Sequence, residues 1–81
     1  MTAVQFASAK PGISADALLQ IGIAISSQPQ PDLIDAHKWF SIAAALGSEE
    51  AALCRKELAI EMSTVQVTAA QRAAREWLTK H

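Results

Sequence analysis

The chain has 81 residues, 51 % of them hydrophobic but only 5 % aromatic, with seven basic against eight acidic side chains and a net charge of −1. That is the length of one small domain, too short to bury a large core, and its balanced charge excludes the basic footprint of a nucleic-acid or anionic-membrane binder. A single cysteine, Cys54, excludes an internal disulfide framework and a multi-cysteine metal site.

Residues 1–13 show no sustained period and end in the breaker pair Pro11-Gly12. They are expected to form an N-terminal arm that docks through Val4 and Phe6, ahead of a helical domain over residues 14–81. This N-terminus has no basic region before an apolar core, so it does not read as a signal peptide. No apolar run reaches the roughly 18–20 residues of a membrane span, and a cytoplasmic location is expected. The first helix starts at Ser14 as N-cap, with Asp16 in the first turn where the helix dipole favours an anion. Its run Ala17-Leu18-Leu19-Gln20-Ile21-Gly22-Ile23-Ala24-Ile25 is apolar nearly all round, so something must cover more than one side of it. The sequence Gln28-Pro29-Gln30-Pro31 ends this helix, because each proline pushes its predecessor out of the α region.

A second helix begins on Asp32, with Asp35 in its first turn. Leu33, Ala36, Phe40 and Ala43 share one stripe, Trp39 lies on its shoulder, and Gly47 is placed as the left-handed residue beyond the helix end. Ser48 caps a third helix with Glu49 and Glu50 in its first turn and a stripe of Ala51, Cys54, Leu58 and Met62. Ser63 and Gln66 match a capping box that opens a fourth, striped by Val67, Ala70, Ala74, Trp77 and Leu78. Arg72 with Glu76, and Glu76 with Lys80, are spaced as i,i+4 ion pairs. Four helices joined by short links make an all-α chain of two antiparallel hairpins.

Ile21-Gly22, Ile25, Asp32, Ala36, Trp39-Phe40, Ala43-Ala44, Gly47 and Ala51 fall in the register of a helical repeat. Residues 17–51 thereby resemble a Sel1-like repeat, a relative of the tetratricopeptide repeat. Pro29 and Pro31 stand where that pattern has glycines, and Arg55-Lys56 replaces the leucine-glycine pair in the second hairpin, which is similar to a diverged terminal cap. The resemblance implies a fragment of an α–α superhelix, or solenoid, used as a protein–protein interaction module without catalysis. Its concave surface would be lined by the first helix, through Asp16, Leu19, Ile23 and Ser26. One and a half repeats are fewer than such arrays need, so either the arm or a second copy in a homodimer supplies the missing neighbour.

No motif for catalysis, metal or cofactor binding appears. His37 has no second ligand at metal spacing and reads as a solvated or edge histidine. Cys54 lies on an apolar stripe, and Trp39 and Trp77 on packing stripes. The rival reading is a helix-turn-helix DNA binder using Arg55, Lys56, Arg72 and Arg75. Glu57, Glu61 and Glu76 are interleaved among those cations and argue against it.

Overall fold

The computed structural model describes residues 14–80, and within them all regular structure is helical: α1 (Ala15–Ser26), α2 (Leu33–Ala45), α3 (Glu49–Ala59) and α4 (Thr64–Lys80). The expected docking of Val4 and Phe6 on the first helix lies outside the described residues.

Each helix starts where a short polar side chain satisfies an orphan backbone donor. The Ala17 amide donates to Ser14 Oγ, that of Asp35 to Asp32 Oδ1 and that of Ala51 to Ser48 Oγ, all at 3.0 Å. Ahead of α4 the reciprocal box is complete. The Gln66 amide donates to Ser63 Oγ at 3.1 Å, and the Ser63 amide donates to Gln66 Oε1 at 2.9 Å. At the end of α2, Gly47 takes φ +113°, while the Ser48 amide donates to the Ala43 carbonyl and the Gly47 amide to the Ala44 carbonyl, both at 3.0 Å. These two bonds form the Schellman arrangement, whose left-handed position favours glycine.

α2 is the element against which the others are built. α1, α3 and α4 each pack along it, whereas α3 and α4 make only marginal contact with one another. The first expected hairpin, α1 with α2, is therefore formed. The second differs from expectation, because α3 and α4 lean separately on α2 and stand apart from each other. The core follows from this layout. Leu18 and Leu19 of α1 meet Ala36, Phe40, Ile42 and Ala43 of α2, with Ala51 of α3 and Ala74 of α4 completing the buried cluster. Small residues at the contacts let backbones approach closely, and α4 uses two, Ala70 and Ala74, one turn apart. Between α1 and α2, Gly22 lies against the Phe40 ring, with no space for a Cβ.

The α2–α4 seam carries the aromatic pair. Trp39 and Trp77 meet edge to face, with centroids 5.8 Å apart and planes at 73°. Lys38 Nζ lies 4.3 Å from the Trp39 ring centroid and 3.5 Å from Asp35 Oδ1, so one ammonium serves a ring face and a carboxylate. The pairs predicted on α4, Arg72 with Glu76 and Glu76 with Lys80, do not close to ion pairs. These are exposed long side chains, for which a fixed pair returns only a few tenths of a kcal/mol.

Candidate interaction groove

The separation of α3 from α4 leaves an open groove of about 590 Å³ with α2 as its floor. The α3 wall offers Ala52, Leu53, Arg55, Lys56 and Ala59, with Glu49 at one end. The α4 wall offers Val67 and Gln71. Leu53 is 61 % exposed although it is a large apolar side chain. The lining therefore combines an apolar strip with two cations. Among the described residues neither Arg55 nor Lys56 has an ion-pair partner.

His37 lies at the floor of this groove and is only 1 % exposed, which corrects its reading as a solvated or edge histidine. The stripe drawn through Ala36 and Phe40 assumed that α2 buries one face. With helices on several sides, His37, Ser41 and Ile42 are buried as well. Ser41 Oγ is hydrogen-bonded to His37 Nδ1 at 3.3 Å, one turn along the same face. Burial lowers the His37 pKa below its ordinary 6.5, and the positive charge of Arg55 lowers it further. The imidazole is accordingly held neutral beside an unpaired guanidinium. His37 and Ser41 are polar and one turn apart, a spacing that reads as a solvated face, so the sequence carries no signal for this second buried face.

The four residues assigned to the concave surface of the first helix separate in space. Ile23 and Ser26 line a smaller open depression of about 280 Å³ between α1 and α3, together with Phe40, Cys54, Glu57 and Glu61. Asp16 is exposed in the first turn of α1 and lines neither hollow. Leu19 is only 2 % exposed and belongs to the core with Leu18, so it offers no docking surface, whereas Ile21 of the same apolar run remains 40 % exposed. Ser26 has a local role too. Its hydroxyl donates to the Ile23 carbonyl at 3.1 Å, and Ser27 Oγ donates to the same carbonyl at 2.7 Å, closing the end of α1.

Cys54, half-buried at the edge of that depression, has its thiol pKa raised by burial and then by the carboxylates of Glu50 and Glu57. The thiolate, which is the reactive form, is disfavoured there. Among the described residues no group of three or more His, Cys, Asp or Glu side chains is placed to hold a metal ion. Nor is any helix there long and apolar enough to cross a membrane. The arrangement is suited to holding a complementary surface by apolar contact and charge. Compared with known proteins, the chain matches no family model, no curated protein and no solved structure.

Proposed function

We propose that this chain is a small helical protein–protein interaction module, a solenoid fragment of the Sel1-like type, which associates by surface complementarity and carries out no chemistry. The observation that supports the reading is the groove between α3 and α4, an apolar strip flanked by unpaired cations on a helical floor. Exposed apolar surface is scarce on soluble monomers and marks contact sites. Two further large apolar residues, Ile60 at 82 % and Val65 at 79 % exposure, flank the α3–α4 connection. They supply the surface for a homodimer, leaving the groove for a partner protein.

Light-scattering mass after size exclusion tests the self-association. The 8.6 kDa chain is expected to run at twice its mass, and Ile60→Asp with Val65→Asp to return it to the monomer without loss of helix. A monomer at every concentration removes the homodimer, and the reading then depends on occupancy of the groove.

A further inference from the structure

The geometry points to an acidic amphipathic helix of a partner protein as the occupant of the α3–α4 groove, its apolar stripe against Leu53 and Val67 and its carboxylates on Arg55 and Lys56. The inference rests on the interaction-module reading and names the chemistry of the partner. Three observations carry it. First, the walls are two helices and the floor a third, which is the trough a further helix fills at the usual interaxial distance of about 8–10 Å. Second, lining residues recur at helical spacing, Glu49, Leu53 and Lys56 on α3 and Val67 and Gln71 on α4, so the trough follows the helix axes. The 11 residues of α3 span about 16 Å at 1.5 Å per residue, the length of a three-turn guest.

Third, the charge is one-sided where the guest would lie. Arg55 is half-buried and lacks a carboxylate, Lys56 stands beside it, and the one acid of the lining, Glu49, opens α3 at the other end. A guanidinium partly withdrawn from water without a counter-charge favours an anionic guest. The groove beside Ile23 has the opposite character, with Glu57 and Glu61 on its rim, and would repel the same acidic guest.

The test uses the full chain and a displayed library of helical peptides matched in length to α3. They carry a fixed leucine stripe, and all other positions are drawn from Glu, Lys, Ala and Ser. Selection is expected to enrich glutamate beside the stripe, and amide chemical shifts of Leu53, Lys56, Val67 and Gln71 to move on binding. Lys56→Glu lies on an exposed side chain and leaves the fold intact. It should weaken the selected peptides about tenfold and reverse the library's preference toward lysine. Binders without glutamate enrichment, or binders insensitive to Lys56→Glu that shift residues around Ile23 instead, overturn this inference and leave the interaction module standing. If no helical peptide binds any face, this inference falls, and the interaction module then rests on the self-association measured by light scattering.

Discussion

Gly22→Ala opposes two well-measured effects, and the structure decides which one wins. Inside a helix, alanine is favoured over glycine by about 1 kcal/mol, so on propensity alone the change stabilises. At this position, however, the new Cβ would stand 2.6 Å from both Cδ1 and Cε1 of Phe40 and 3.2 Å from Cζ. Carbon atoms in good contact lie about 3.5–4.0 Å apart, so two ring atoms are nearly 1 Å too close. The ring is closely held, because Phe40 is 3 % exposed and sits in the buried cluster with Leu18, Leu19 and Ala43, with only the small depression beside Ile23 to yield toward. Overpacking a tight core costs about 1–3 kcal/mol, and two such contacts belong in the upper part of that range. The net expectation is a loss of about 1–2 kcal/mol, lowering Tm by about 4–8 °C for each kcal/mol in a domain of this size. Urea titration and thermal circular dichroism measure both. The same substitution in a Phe40→Leu background meets a smaller side chain, and there the propensity gain should emerge, making Gly22→Ala neutral or stabilising. A Gly22→Ala protein as stable as the parent, in the presence of Phe40, would refute the claim that α1 and α2 are held at this distance by ring-on-backbone packing.

Trp39→Ala removes a half-buried indole, its edge-to-face contact with Trp77 and the ring under Lys38. It should cost about 3 kcal/mol in a denaturant titration, the lower end for large-to-alanine changes because the ring is not fully enclosed, and a loss under ~1 kcal/mol would mean that the α2–α4 seam is held elsewhere. For His37 the sign follows from its lowered folded-state pKa: between that value and the ordinary 6.5, the unfolded chain binds a proton that the folded chain refuses. Its contribution is thus complete above pH 6.5 and declines as pH falls through 6.5 toward the folded value. Urea midpoints for the parent should drop across that window, and His37→Gln should flatten the dependence. An equal slope in both proteins would assign the pH response to other groups.

What could be read from the chain was what is decided within four residues. Ser14, Asp32, Ser48 and the Ser63–Gln66 box are each recognisable from residue type and spacing alone, because a cap is completed by an amide two or three positions on. Gly47 belongs with them, since the turn demands a positive φ wherever the rest of the chain goes. The choice of neighbours was not legible in the same way. Short links between consecutive helices suggest paired neighbours, yet α4 takes α2 and leaves α3 beside an open groove. The lining of that groove is drawn from three helices, so no local pattern announces it, and the first-helix face proposed from repeat resemblance captured only Ile23 and Ser26 at the smaller hollow.

The residues nevertheless explain why the groove stays open. Ala51 on α3 and Ala70 and Ala74 on α4 are buried, and α2 is the helix along which both α3 and α4 pack. The faces that α3 and α4 turn toward the groove are of another kind. Ala52, Leu53 and Ala59 on one wall and Val67 on the other offer modest apolar area, while Arg55, Lys56 and Gln71 are interspersed among them. Closing the walls would join a few small side chains, worth about 25 cal/mol for each Å² hidden from water. It would also take two cations out of water with Glu49, at the other end of the groove, as the one acid of the lining, a desolvation of several kcal/mol per ion. The balance favours an open groove in the isolated chain. On the proposed reading it reverses when a guest brings both the missing apolar surface and the missing negative charge, so the same two cations that oppose closure of α3 on α4 would select what comes between them.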